Sequence, residues 1–586
     1  MSNPWKRIRC AATIAATVLY IVVATAIVVN GSRTPAASFL SLAFFLLPFL
    51  AALAATGQIL RSATVGAAIV LVVQVLARLK VHYYKEPLLA PDFFVIADPS
   101  NSQTLLRYPG AGAALLALAG VLALAFLAHR GAHRLGARVR YASLAGAAAC
   151  VAACVVIARD PALHDAWFRN LPAGQGTFAD LVFSAREVFY TPPSFPGDEG
   201  IFLARRPVSR VPAAGVKPDI IVWLHESTVN PEIYDLPGAT FPRLAMFQPD
   251  PATRAQSLLR VPTYGGGTWL SEFTLLSGLS ARDFEPASNA VYYGVTPRLK
   301  TSLPRVLKES GYRSVVLTPF NKSAYHSGPA YEDLGFDRIV QPQDLGYPAA
   351  PFENLWNVES RQMAGYARQI LEQESGPVFL FMFSIKEHGP YDAGHPPAPE
   401  LLGAADRALS GRLSDYVERI EALSAATQEF SSYLLGRKRP TLFLYFGDHQ
   451  GVMKGRSLGY RISSPAPEYI TQFVLRDNLP SPAQLPVGEV TDLAFIGGLL
   501  LERAGVEPDA LFGANIDMRK LCQGRLQDCP DSPLVQSYRH YVHDVLGAAS
   551  GQRGDSRTGL ASPGELQPEP STSGMRRGPK APSKRS

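Results

Sequence analysis

Apolar residues fall along this chain in two different patterns. Up to about residue 158 they form long blocks of Ala, Leu, Val and Ile, at about 10–30, 35–57, 62–79, 110–128 and 138–158. A helix that crosses a bilayer needs ~20 such residues, so the pattern predicts five membrane spans. The first block lacks a small-residue cleavage site and is followed by more spans, so it reads as an uncleaved anchor. Lys6, Arg7 and Arg9 precede it, and Arg130, Arg134, Arg138 and Arg140 lie between the fourth and fifth blocks. Five spans put both basic groups on one side, which is then cytoplasmic. Everything beyond residue 160 is expected on the extracytoplasmic, periplasmic side of an inner or plasma membrane. The loop 80–109 carries Lys80, Lys85 and Arg107 on that outer side, against the rule, and its Pro- and Phe-rich sequence reads as a structured interfacial segment.

Beyond about residue 216 the apolar positions come in short runs separated by amphipathic stretches. Runs at 219–224, 314–317, 378–383 and 441–446 read as buried strands, and 303–310, 358–374, 413–435 and 492–504 as helices. Continuous apolar strands alternating with helices predict a mostly parallel sheet covered on both faces. The intervening residues 161–215 alternate Pro and aromatics around Phe189–Pro196 and suit an extended or interfacial linker. From 547 to 586 the chain is rich in Gly, Ser, Pro and Arg and poor in aliphatics, the composition of a disordered basic tail. The expected organisation is therefore a transmembrane domain 1–160, a linker 161–215, a soluble α/β domain 216–546 and the tail.

Charge and cysteines change this picture little. The formal charge of +7 is partly a tail effect, and no basic–aromatic patch marks a nucleic-acid partner. Of the five cysteines, Cys10, Cys150 and Cys154 fall in apolar segments. Cys522 and Cys529 are close enough to close a small disulfide loop in an oxidising compartment.

Candidate chemistry gathers where strands end, the edge at which open α/β sheets bind ligands. The run 219–224 leads into His225-Glu226-Ser227, the run 441–446 into Gly447-Asp448-His449-Gln450-Gly451, and the run 378–383 into a loop holding His388. A further stretch, 261–279, carries Gly265-Gly266-Gly267-Thr268 directly before an apolar helical pattern. Thr268 then lies at or next to a helix N-terminus, where unpaired N–H groups favour a phosphate-like anion and glycines admit close approach. A threonine there also serves as a plain N-cap. Glu226, Thr268, Asp448 and His449 together offer three oxygens and one nitrogen, a set suited to one divalent cation, Mn²⁺ first, with Mg²⁺ or Zn²⁺ as alternatives. Such an ion would stabilise a threonine alkoxide. His225 points away from this group if the strand continues. His388 reads equally as a structural histidine or a phosphate contact.

These residues resemble the lipoteichoic acid synthase and phosphoglycerol transferase group of the sulfatase and alkaline phosphatase superfamily. The resemblance runs to about residue 540. It rests on Glu226-Ser227, the glycine run into Thr268, Ser271-Glu272-Phe273, Leu276-Ser277-Gly278-Leu279, Asn321-Lys322, Tyr331, Leu334–Asp337, His388-Gly-Pro-Tyr391 and Gly447-Asp448-His449, with Lys85-Glu-Pro-Leu and Pro91-Asp-Phe near the membrane. It implies that Glu226, Thr268, Asp448 and His449 are metal ligands, that Thr268 is the nucleophile, and that His388 contacts substrate phosphate. The implied activity moves a phosphoglycerol-type head group from a phospholipid, phosphatidylglycerol first, to a glycan through a phospho-threonine. A phosphodiesterase or sulfatase-type hydrolase and a phosphoethanolamine transferase are the alternatives. The chain departs from the group after Asn321-Lys322, where Tyr325 and Ser327 replace a Trp and an Arg that hold glycerol phosphate, and at Thr318, which replaces a His.

Overall fold

The computed structural model describes residues 33–102, 119–120, 134–171, 174–207, 215–350, 353–398, 401, 407–453 and 458–551. Two long apolar helices, α1 (Pro35–Thr56) and α2 (Ile59–Tyr84), are followed by a short helix α3 (Asp92–Ile96) and a third long one, α4 (Ala137–Ala158). Among the described residues these three long helices are the ones whose length and hydropathy suffice to cross a membrane. They correspond to the blocks 35–57, 62–79 and 138–158, with α2 longer at both ends. The block 10–30 and all of 110–128 but residues 119 and 120 lie outside the described residues, so three candidate spans are described against the five expected.

Small residues let α1 and α4 pack closely. A Cβ on Gly146 would come 3.3 Å from Leu50. Arg140 turns back to cap α1, donating from Nε to Ala54 O at 2.8 Å and from Nη2 to Ala55 O at 3.1 Å. Lys80, which ran against the charge rule, is matched: its Nζ lies 2.6 Å from Asp92 Oδ2, and both side chains are largely buried.

The first part of the linker, for which an extended or interfacial arm was expected, is helical. It folds into α5 (Pro161–Phe168) and α6 (Thr177–Phe183), with Trp167, Phe178 and Phe183 buried. Asp160 starts α5, its Oδ1 accepting from Leu163 N at 3.0 Å with Pro161 at the first helical position. Trp167 Nε1 donates to Asp180 Oδ1 at 2.9 Å, which ties the two helices together. The Pro–aromatic alternation that suggested an arm governs only the stretch after Val188.

The soluble body is built on strands β1 (Asp219–His225), β2 (Tyr234–Asp235), β3 (Thr253–Arg260), β4 (Arg313–Leu317), β5 (Arg338–Val340), β6 (Val378–Phe383), β7 (Thr441–Gly447), β8 (Gly459–Tyr460), β9 (Ile470–Asp477) and β10 (Val490–Asp492). Eight form one sheet in the order β10-β3-β9-β7-β1-β6-β4-β5. All its pairings are parallel except those of β9, which runs antiparallel to both neighbours. Residues of β1, β6 and β7 are buried throughout, as expected for a sheet covered on both faces.

Helices α7 (Thr268–Ser277), α8 (Leu303–Glu309), α9 (Ser360–Gln373), α10 (Arg407–Leu435), α11 (Ile496–Ala504), α12 (Ala510–Leu521) and α13 (Ser532–His540) complete the body. The helices expected at 303–310, 358–374, 413–435 and 492–504 are present, with α10 starting earlier and α11 preceded by a 3-10 turn. Cys522 and Cys529 are bonded, S–S 2.03 Å. The packed chain runs past 547, since Ala548 and Ala549 are buried and Ala548 O accepts from Lys300 N at 2.9 Å. The rest of the predicted tail, 552–586, lies outside the described residues.

Candidate active site

Two neighbouring strands deliver the acidic groups. β1 and β7 run parallel with His225 opposite Gly447, so the next residues, Glu226 and Asp448, leave the sheet side by side. The close approach needs glycine: a Cβ on Gly447 would lie 1.8 Å from Thr228 O. Ser227 turns the chain in the left-handed region, φ 52°, and its N–H donates to Asp448 Oδ1 at 2.8 Å. His449 N donates to the same oxygen at 2.8 Å.

The inward-facing atoms then define a ligand cage. His449 Nδ1 donates to Gln450 O at 3.0 Å, which turns Nε2 inward. Nε2 lies 3.3 Å from Glu226 Oε1 and 3.3 Å from Asp448 Oδ2. His449 Nε2 and Asp448 Oδ2 are buried without a hydrogen-bond partner. Ligand atoms of Glu226, Asp448 and His449 all lie within 4.8 Å of one another. Buried polar atoms left unsatisfied are costly. Two orphaned acceptors facing a third therefore fit a divalent cation, which needs nitrogen and oxygen lone pairs of this kind.

The electrostatics agree. Burial and the charge on Glu226 push the Asp448 carboxyl up to about 8. Burial also opposes ionisation of Glu226, but the adjoining His449 outweighs it and holds the carboxyl at about 2. Burial disfavours the His449 cation, but Asp448 and Glu226 outweigh it and push the imidazole up to about 9, so that a proton bridges groups which a cation would otherwise hold together.

Thr268 is the first residue of α7, with Gly267 as the N-cap. Its Oγ1 donates to Glu226 Oε2 at 2.9 Å, so the hydroxyl is at the cage. Ser271, one turn on, donates to Asp448 O at 2.7 Å and fixes the helix to the β7 turn. Glu272 is buried and takes hydrogen bonds from Tyr331 at 2.5 Å and Tyr292 at 3.1 Å. Burial raises its carboxyl to about 7.

The glycine run has a second purpose, one its sequence did not suggest. It admits the end of α2 rather than only a ligand. A Cβ on Gly265 would lie 2.4 Å from both Tyr83 O and Val452, and one on Gly266 would lie 3.0 Å from the Tyr84 hydroxyl. Both glycines have positive φ, 71° and 157°. Gly265→Ala therefore forces the glycine loop that leads into Thr268 off α2 and is expected to lower turnover at least ~10-fold, at a local cost of about 1–3 kcal/mol. Gly238→Ala is the control: φ is 81°, but nothing lies within 4 Å of the new Cβ. Turnover and thermal melts of the two variants check this, and equal turnover would remove the steric role of α2.

The segment after α2 continues along the body. Asp98 Oδ2 accepts from the Tyr293 hydroxyl at 2.9 Å, Ser100 Oγ donates to Ser323 O at 2.7 Å, and Asn101 Oδ1 accepts from Tyr325 N at 2.9 Å. The segment thereby reaches the residues at which the chain departs from the lipoteichoic acid synthase pattern. Tyr325 and His326 both have left-handed φ, 53° and 61°. The Tyr325 ring stacks on Trp269, beside Thr268, with centroids 4.9 Å apart. Thr318 Oγ1 accepts from Phe320 N at 3.0 Å, a turn contact.

His388 is not in the ligand cage. It lines a cleft of about 390 Å³ together with Ser227, Gly265, Tyr391, Arg412 and Tyr83. Its Nδ1 donates to Gly389 O at 2.5 Å, and its ring packs on Trp356. His225 stays outside the cage, as expected: it is buried against Tyr445, with Nε2 3.3 Å from Thr427 Oγ1. Tyr83, Tyr84 and Arg412 had not been singled out from the sequence. The tyrosine pair at the end of an apolar block was the available signal; Arg412, within a helix, gave none.

Residues 218–485 match the Sulfatase family model. An uncharacterized protein of Haemophilus influenzae is 35% identical over 550 residues, 91% of this chain and 98% of that protein. A putative cyclic beta-1,2-glucan modification protein of Rhizobium meliloti is 26% identical over 328 residues, 52% of this chain and 48% of the relative. Among solved structures, the Streptococcus pyogenes phosphoglycerol transferase GacH in complex with sn-glycerol-1-phosphate shares 17% identity, covering 60% of this chain and 90% of that one, with a TM-score of 0.44. The chain carries a Sulfatase-family domain over residues 218–485, which holds Glu226, Thr268, Asp448 and His449 and is joined to apolar helices long enough to cross a membrane.

Proposed function

We propose that this protein is a membrane-bound, metal-dependent phosphotransferase that moves a phosphoglycerol-type head group from a phospholipid to an extracytoplasmic glycan through a phospho-threonine. The observation that carries the reading is the Thr268 hydroxyl, hydrogen-bonded to a buried carboxylate inside a cage with two orphaned ligand atoms. A lipid donor accounts for the end of α2 lying against the nucleophile loop. The name of the glucan-modifying relative supports a glycan acceptor.

Glu226, Asp448, His449 and Thr268 would hold the cation, and Mn²⁺ suits their oxygen-rich set. A bound divalent cation supplies acidity to the threonine hydroxyl and neutralises phosphoryl charge. Glu226 orients Thr268 by accepting its hydrogen bond. Thr268 Oγ1 forms a bond to phosphorus while the bond from phosphorus to the diacylglycerol oxygen breaks, and the leaving oxygen gains a proton. A glycan hydroxyl then bonds to the same phosphorus, the Thr268–phosphorus bond breaks, and the proton of the glycan hydroxyl returns to Thr268. His388, lining the adjoining cleft, contacts the phosphate.

Mass spectrometry of the full-length protein after exposure to mixed phospholipids tests the reading. The expected result is a phosphoglyceryl adduct on the peptide containing Thr268, discharged by added glycan. A phosphoethanolamine mass would change the donor, and free glycerol phosphate with no labelled glycan would make the enzyme a hydrolase. Turnover without any adduct on Thr268 would end the proposal.

A further inference from the structure

The cleft that reaches Ser227 and Gly265 contains a cation that the reaction as written does not use. Arg412 lies on α10, two helical turns before Arg419, so the two side chains project from one stripe of the helix. Arg419 is fully engaged. Its Nε and Nη2 donate to the two carboxylate oxygens of Asp415 at 2.8 and 2.7 Å, and its Nη1 donates to His388 O at 2.9 Å. Arg419 therefore anchors the His388 loop. That loop then crosses α10 at Gly411, where a Cβ would lie 2.6 Å from Ala393 O. The crossing leaves Arg412 half-buried on the wall of the cleft, facing a space bounded by Ser227, Gly265, His388 and Tyr83. Asp392 also lines the cleft, but its Oδ1 accepts from Gly394 N at 2.8 Å, and no described carboxylate lies within ion-pair distance of Arg412.

We infer that Arg412 is the anion-binding residue of this cleft and takes a phosphate ester. A guanidinium presents paired donors that match phosphate oxygens, and partial burial strengthens the contact. The cleft reaches both the nucleophile loop and the end of α2, so the ester is carried either by the lipid head group or by a phosphorylated glycan acceptor. The inference rests on the transferase reading for its substrates, though not for its binding test.

That test measures binding of sn-glycerol 1-phosphate to the full-length protein in detergent by calorimetry. Arg412→Ala is expected to bind roughly 10- to 100-fold more weakly than the parent. Arg412→Lys, which keeps the charge and loses the fork, should fall between them and serves if the alanine variant folds poorly. Equal affinity in parent and variants overturns the inference. The source of the ester is read from the half-reactions. Slower adduct formation on Thr268 in Arg412→Ala assigns the donor head group, while normal adduct formation with slowed discharge to glycan assigns the acceptor. A parent protein that forms no adduct would refute the transferase reading, and the calorimetric comparison would still decide the role of Arg412.

Discussion

On the proposed mechanism, Thr268→Ala is expected to abolish the covalent adduct and to lower transfer on the order of 10⁴-fold or more, the scale for removal of a nucleophile. The fold should tolerate the change. Thr268 is not the N-cap of α7, Gly267 is, and the hydrogen bond lost is the one to Glu226 Oε2. Thr268→Ser keeps an attacking oxygen and is expected to retain an adduct. Labelled-lipid assays beside a thermal melt separate loss of chemistry from loss of structure. An alanine variant with undiminished transfer would show that Thr268 does not attack phosphorus.

The second large effect is expected on removing the cation. Chelation should lower activity roughly 10³-fold, equivalent to about 4 kcal/mol of transition-state stabilisation. Add-back should restore it, with Mn²⁺ ahead of Mg²⁺ and Zn²⁺. The cage also predicts a change in stability. Asp448 Oδ2 and His449 Nε2 are buried without partners, so an ion that satisfies them binds the folded state and raises its melting temperature. Asp448→Asn should cancel both the reactivation and the thermal shift. Full activity in a chelated sample shown by elemental analysis to be metal-free would eliminate the cation from the chemistry.

Much of the site was legible because its residues follow buried strands. The apolar runs at 219–224 and 441–446 gave β1 and β7, and parallel pairing brought Glu226 and Asp448 together. The strands that escaped notice have mixed sequences whose polar residues find partners only in three dimensions. Arg254 in β3 and Asp477 at the end of β9 are charged yet buried: Arg254 Nε lies 3.0 Å from Asp477 Oδ1, and Arg503 Nε lies 2.6 Å from Asp477 Oδ2. A period-of-two pattern cannot show such pairing across more than 200 residues. The glycine run was legible as a close approach, but what approached it was not. Nothing near residue 265 announces that Tyr83 and Tyr84 occupy the space. Arg412 was hidden for the same reason, since its setting depends on a loop that crosses its helix from another strand.

The contact between the tyrosine pair and the glycine run also bears on how the chain can vary over time. A side chain gained at 266 has room only if bulk is lost at Tyr84, and one gained at 265 meets both Val452 and the backbone carbonyl of Tyr83, so the end of α2 itself would have to move. On the proposed reading, attachment to the bilayer and placement of the Thr268 hydroxyl are therefore inherited as one trait, and a tether borrowed from an unrelated protein would hold the domain in place without completing its site.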